Sequence, residues 1–290
     1  MDALETDLVK LVECPRDAMQ GWTEFIPTAK KIEYLQALLE AGFDSLDFGS
    51  FVSAKAIPQM ADTREVIEQL SMGKSATRLL AIVANVRGAA EATAYEAIRD
   101  IGFPFSISET FQQRNTNSSI AESLVTVEKM QEICVKNNKR LVVYISMAFG
   151  NPFGDPWTPG LALEYIGKLT ERNVPVISLA DTVGLATSTQ VYQLTQTLIE
   201  NFPDIESGVH LHSRRKNSVE KLEAAFDAGC RRFDGAINGI GGCPMAGDEL
   251  VGNMDSLLMI NFFKQKKVLP QLNQIALERC SQLADEIFIH

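Results

Sequence analysis

Two hydrophobic periods alternate along this chain. Short apolar runs rich in β-branched and aromatic residues lie at 8–14, 45–49, 78–84, 103–107, 140–146, 174–179, 208–212 and 232–236. Their near-continuous apolar character predicts strands covered on both faces. After each run comes a longer segment of helical period, beginning near Ile26, Ala56, Gly88, Ile120, Pro159, Thr187, Ser218 and Met254. Parallel strands need crossover connections, and a helix after every strand supplies them. Eight such units in 290 residues fit a closed (β/α)8 TIM barrel with a helical C-terminal extension. An open doubly wound sheet is the alternative. Against it, no GxGxxG follows the first run, and Gly239-Ile-Gly-Gly does not open a helix, so that stretch reads as a loop.

No composition break or low-complexity linker interrupts the alternation, so residues 1–290 read as a single catalytic domain. Hydrophobic residues make up 46% and charged residues 22%, ordinary globular usage. A net charge of −10 argues against a nucleic-acid partner. No stretch approaches the roughly 18 apolar residues of a membrane span. The N-terminal segment lacks a basic and apolar leader pattern. The five Cys are odd in number and form no CxxC pair, which reads as a reducing, cytoplasmic setting. A homodimer stays open, since the sequence does not fix the oligomeric state.

A barrel places its reacting groups at the C-terminal ends of strands or in the loops just after them. Arg16 and Asp17 follow the first predicted strand, Asp47 lies near the end of the second and Ser146 ends the fifth. Asp181 and Thr182 follow the sixth, His210 and His212 end the seventh, and the loop 238–253 follows the eighth. Of the three His, His290 is terminal and reads as surface. Strand side chains alternate faces with period two, so His210 and His212 share one face. Two inward imidazoles suit a metal; hydrogen-bonded core histidines are the competing reading. Asp17 is the best third ligand, because the first strand neighbours the second and eighth in a closed barrel. A helix cap or an Arg16 partner is its other reading. Nitrogen and oxygen donors together suit Mg or Mn, with Zn or Co also able to bind. An Fe(II) oxygenase can use the same set, but strand–helix alternation does not match the all-β folds common for that chemistry.

These residues resemble those of 3-hydroxy-3-methylglutaryl-CoA lyases. Val9-Lys-Leu-Val-Glu-Cys-Pro-Arg-Asp-Ala-Met-Gln20 resembles the family's opening segment, and residues 50–62 resemble its second-strand loop. Ser108-Glu-Thr-Phe and residues 115–123 are similar to its fourth loop. Ser178-Leu-Ala-Asp-Thr-Val-Gly184, His210-Leu-His212 and Gly239-Ile-Gly-Gly-Cys-Pro244 complete the set in order. HxH and Arg-Asp are shared with related Claisen-type synthases and aldolases, whereas Gly-Gly-Cys-Pro is the specific part and resembles the lyases' cysteine loop. The resemblance implies a divalent metal held by Asp17, His210, His212 and Asn253. It implies that Arg16 polarises the thioester carbonyl and that Cys243 carries a proton at the departing acetyl carbon. Asp47, Gln20 and Asp181 would line the site, with Ser146 and Thr182 beside the substrate. The implied substrate is an acyl-CoA.

The chain also departs from the family. Arg-Asp-Gly-Leu-Gln-Asn is here Arg-Asp-Ala-Met-Gln-Gly, the expected second-strand glutamate is Asp47, and Ser213-Arg-Arg-Lys-Asn217 replaces the segment after HxH. The loop from Cys243 to Asn253 is one residue longer than usual. Retro-aldol cleavage needs a hydroxyl that loses its proton, a stabilised enolate and an acid to protonate it. The implied groups meet those needs. A Claisen-type synthase or aldolase, and a metal-binding barrel without catalysis, remain alternatives at this point. Arg214, Arg215 and Lys216 sit where barrels often bind phosphate, so they are expected either to touch the CoA phosphates or to form a solvated helix start.

Overall fold

The computed structural model describes residues 8–242 and 251–288. Its eight strands are β1 (Lys10–Glu13), β2 (Ser45–Ser50), β3 (Arg78–Ile82), β4 (Ile98–Ser106), β5 (Arg140–Ser146), β6 (Val176–Asp181), β7 (Glu206–Leu211) and β8 (Arg232–Gly235). All pair in parallel in sequence order, and β8 closes on β1 through Lys10↔Arg232 and Leu11↔Phe233. The expected (β/α)8 barrel is therefore the observed fold. Among the described residues no helix is long and apolar enough to cross a membrane.

Helix boundaries follow local chemistry. Ser119 and Glu122 form a capping box on the helix Ile120–Lys136, and Thr187 and Gln190 form one on Ser188–Asn201. Pro159 and Ser218 open helices where the sequence period begins. The helix expected near Ala56 does not start there. A 3-10 turn over Pro58–Met60 comes first, and the α-helix runs Thr63–Gln69. The stretch before it is instead turned toward the barrel mouth, where Ala56 and Ile57 line a cavity. A short helix, Glu109–Thr116, also forms ahead of Ile120, capped by the Ser108 hydroxyl, which accepts the Phe111 N–H. The C-terminal extension is the helix Gln274–Ile287, anchored on Thr28–Ala41 by the Asn273 N–H to Ala41 carbonyl bond (3.0 Å). Phe288 packs edge-on against Trp22 and Tyr34.

Two strands begin earlier than the apolar runs predict. β4 starts at Ile98 and β7 at Glu206 because their first inward positions are charged. Asp100 accepts from Arg140 at 2.8 and 2.9 Å and from Arg78 at 3.3 Å. Glu206 accepts from Lys10 at 2.5 Å and from Arg140 at 3.3 Å. This ionic layer closes the barrel end away from the functional rim. Above it, Leu80, Val142 and Val176 pack together as a small apolar layer.

Glu13 shows how the outer side of β1 is used. Its side chain is fully buried, accepting the Ile237 N–H at 2.9 Å and the Ser256 hydroxyl. These partners sit at the two stems of the connection that leaves β8. Burial pushes the Glu13 carboxyl up to about 8, against the lowering effect of both hydrogen bonds. A folded-state value above the unfolded one favours the protonated form, so stability is complete at acid pH and is lost as pH rises toward that value. Glu13→Gln, a neutral isostere, should therefore gain on the parent as pH rises from about 4.5 to about 8, with a constant difference beyond. Urea denaturation at about pH 5, 7 and 9 checks this; parallel stability curves would count against it.

Candidate active site

Strand parity decides which rim residues face the barrel interior. On β6, Ala180 points inward and lines the cavity, so Asp181 points outward. The Asp181 carboxylate meets Lys221 of the helix Ser218–Asp227 at 2.7 Å and accepts the Ala186 N–H at 3.1 Å. Burial raises its pKa, with the Lys221 cation opposing that rise. Asp181 is thus not part of the cavity lining expected of it. It ties the β6 rim to the following helices. The next residue, Thr182, does line the cavity, and its hydroxyl accepts the Met147 N–H at 2.9 Å. Met147 takes the left-handed conformation (φ 60°), an uncommon one for a non-glycine residue, directly after the cavity-lining Ser146.

The cavity has a volume of about 360 Å³ and opens at the C-terminal rim. Its floor carries Arg16, Asp17, Gln20, Asp47, His210 and His212. Its walls are largely apolar and include Trp22, Val52, Ile57, Ile82 and Phe111. Six of the expected site residues thus meet on the floor, and Ser146 and Thr182 sit at its edge. Asn253 lies just behind, 3% exposed. Its neighbours Gly252 and Met254 bond to Ser213 and Leu211, so this segment runs antiparallel beside the end of β7. Cys243 lies outside the described residues.

Arg16 and Asp17 start the short helix Pro15–Gln20, which Pro15 opens at its first position. The Arg16 Nη2 lies 2.6 Å from Asp47 Oδ2, with Nε at 3.2 and 3.1 Å from the two Asp47 oxygens. Its Nη1 donates to Gln20 Oε1 at 2.8 Å and to Asp17 Oδ1 at 3.1 Å. The guanidinium plane is therefore fixed between two carboxylates. Burial pushes Asp47 up to about 6, and the Arg16 cation limits the rise. Burial would raise Asp17 too, but the Arg16 cation, together with the neighbouring imidazoles and the Asn253 hydrogen bond, more than offsets it and holds Asp17 at about 2. Asp17 is the junction of the floor. Its Oδ1 also accepts from Gln20 Nε2 at 2.6 Å, and its Oδ2 from Asn253 Nδ2 at 2.8 Å.

The two histidines test the fit of a metal. His212 Nδ1 lies 2.9 Å from the Val251 carbonyl, an acceptor only, so Nδ1 carries the proton and Nε2 a lone pair. His210 Nδ1 faces Asp234 Oδ2 at 3.4 Å, and a neutral ring with its proton on that nitrogen would have its lone pair on Nε2. The two Nε2 atoms are 3.2 Å apart. With the proton of each neutral ring on Nδ1, the two Nε2 lone pairs would face one point, which suits a shared cation. Two nitrogens bound at about 2.1 Å and roughly at right angles would stand about 3.0 Å apart. Asp17 completes the set, with its ligand atom and those of both imidazoles all within 4.8 Å of one another. Burial and the neighbouring His210 depress His212 to about 4, keeping it neutral. For His210 burial acts downward, but the Asp234 and Asp17 carboxylates outweigh it and raise the value. Gly241 (φ 109°) brings the chain close, since a Cβ there would stand 2.5 Å from Asn253 Nδ2 and 2.9 Å from the Asp17 carbonyl oxygen.

Some of the site is not legible in the motifs. Tyr144, edge-on to His210 at 5.7 Å, and Asp234 beneath that imidazole were not predicted, although inward parity on β5 and β8 marks both. Asn115 and Phe111 fall within the fourth-loop segments but carry no chemical signature. Arg214, Arg215 and Lys216 are exposed between β7 and the helix Ser218–Asp227.

Comparison with known proteins identifies the family of the chain. The HMGL-like family model matches residues 9–284. The (R)-citramalyl-CoA lyase of Chloroflexus aurantiacus is 31% identical over 86% of this chain and 81% of its own. The cytoplasmic 3-hydroxy-3-methylglutaryl-CoA lyase of Homo sapiens is 30% identical over 88% of this chain and 69% of its own. An HMG-CoA lyase from Acinetobacter baumannii, solved with coenzyme A and 3-methylmalate, superposes with a TM-score of 0.91 at 27% identity, covering 100% of this chain and 94% of that one. With the motifs in order, the barrel closed and these relatives aligned along nearly its whole length, the chain belongs to the HMGL-like family of carbon–carbon lyases.

Proposed function

We propose that this enzyme cleaves a 3-hydroxyacyl-CoA such as 3-hydroxy-3-methylglutaryl-CoA into acetyl-CoA and a 3-oxo acid, acetoacetate in that case. The observation that carries the reading is the meeting of the two imidazole Nε2 atoms and the Asp17 carboxylate on the floor of an apolar-walled cavity. Asp17, His210 and His212 would hold a divalent cation, Mg or Mn by the donor set, with Asn253 offering its side-chain carbonyl. When bound, such a cation supplies acidity and orientation to the substrate hydroxyl.

The protein's own groups account for the rest. Arg16 is preorganised: Asp47, Asp17 and Gln20 fix its plane, so its charge faces the cavity without reorganisation when the thioester oxygen becomes negative. Asp47, beside Arg16 and raised by burial to about 6, is placed to relay the hydroxyl proton. The walls formed by Trp22, Ile57, Ile82 and Phe111 exclude water from the reacting carbons. Cys243 is the proton donor this reading assigns to the acetyl carbon.

Incubation with Mn or Mg and a panel of 3-hydroxyacyl-CoAs should release acetyl-CoA, and a chelator should abolish it. A chain that instead consumes acetyl-CoA with a 2-oxo acid would be a synthase. Arg16→Lys keeps the charge but loses the fork held by Asp47, and should lower kcat by about 100-fold with little change in KM. A variant whose KM rises while kcat holds would place Arg16 in ground-state binding instead. Arg214→Ser with Arg215→Ser should raise KM for the thioester and flatten its dependence on salt. If neither changes, that stretch is a solvated surface.

A further inference from the structure

The barrel interior below His210 holds a group of buried polar atoms that the mechanism does not use. Arg232 is 1% exposed, and its Nε, Nη1 and Nη2 make no hydrogen bond among the described residues. The same holds for Asp234 Oδ1, Glu206 Oε1, Tyr144 Oη and Ser178 Oγ. These atoms are close neighbours. Arg232 Nε is 4.0 Å from Asp234 Oδ1, and Arg232 Nη1 is 3.6 Å from Glu206 Oε1. Gly208 makes room for them, since a Cβ there would stand 2.9 Å from Arg232 Cδ and 3.3 Å from Ser178 Oγ. Donors and acceptors are matched in kind and separated by slightly more than a hydrogen bond. That spacing is what enclosed water would bridge.

The column has a direction. Its lower end joins the ionic layer through Glu206, which also takes Lys10 and Arg140. Its upper end is Asp234, whose Oδ2 faces His210 Nδ1 at 3.4 Å. The Cys14 sulfur lies within 4.8 Å of the same pair, but it is turned to the Val12 carbonyl and carries no charge to compete with Asp234. Imidazoles that bind metals through one nitrogen are commonly oriented by a carboxylate on the other.

We propose that Asp234 is a positioning residue that holds His210 in the Nδ1–H tautomer, and that Arg232 anchors Asp234 to the barrel floor through enclosed water. The inference rests on the metal reading above for its effect on affinity, but its tautomer claim stands without it. Asp234 never reaches the substrate; it acts through His210. Arg232 offsets its charge, so a carboxylate can stand beneath the site without leaving the interior with a net negative charge.

Two measurements test this on the full chain. In the first, manganese(II) alone is titrated, with free ion read by electron paramagnetic resonance. Asp234→Asn, shown to be folded by circular dichroism, should bind Mn about 10- to 100-fold more weakly than the parent. Arg232→Met should weaken it by a smaller factor. Unchanged affinity in folded Asp234→Asn overturns the role of Asp234, and unchanged affinity in folded Arg232→Met removes Arg232 from it. In the second, 15N spectra of labelled histidines in the metal-free parent should show His210 protonated on Nδ1, and in Asp234→Asn a mixture of tautomers. An Nε2–H tautomer in the parent overturns the proposal even if the variants do not fold. A parent that binds no manganese but shows the Nδ1–H tautomer would instead sink the metal reading and leave the positioning role in place.

Discussion

Closing eight parallel strands on themselves sends every second side chain of each strand into one confined interior. That interior must be filled, neutral and hydrogen-bonded. Here the far end is occupied by paired charges, Asp100 with Arg140 and Arg78, Glu206 with Lys10 and Arg140. A layer of Leu80, Val142 and Val176 comes next, and the near end is given to the site. Buried ion pairs rarely stabilise a fold much beyond what apolar packing would give. Their use here follows from the chain's parity: once a strand is in register, its inward positions are fixed, and an acid on one strand requires a base on another.

The same parity divides rim residues into those that act and those that hold. Ala180 and Thr182 reach the cavity while Asp181 between them ties the rim to Lys221. On β1 it turns Glu13 away from the cavity and toward the stems of the last loop. Asp17, on the helix after β1, draws together groups from across the rim. It touches Arg16, Gln20 and Asn253 directly and both imidazoles electrostatically. That concentration of cations and donors keeps one carboxylate ionised in a buried place where burial alone would protonate it.

Much of this was legible in the sequence. The alternation of periods gives the barrel, and HxH with Arg-Asp gives the floor, because those signals are local. What was missed depends on partners far apart in the chain. The strand starts at Ile98 and Glu206 are hidden because their inward residues are charged and break the apolar run. The start near Ala56 fails because periodicity does not register that the segment bends to wall a cavity. Asp181 was placed at the site by its neighbours in the motif, yet one step along a strand reverses the side chain. Asp234 carried no motif at all; only the closed interior reveals what lies above it.

The stems of the connection after β8 are fastened twice. Ala236 bonds to Met254 and Ser256 through the backbone, and Glu13 holds Ile237 and Ser256 from below. Chain between two such fixed points is free to change in length at small entropic cost, since closing a slightly longer loop adds only a few tenths of a kcal/mol. A difference in length between these stems would therefore cost this fold little. Asn253 is held in place by β7 on one side and Asp17 on the other.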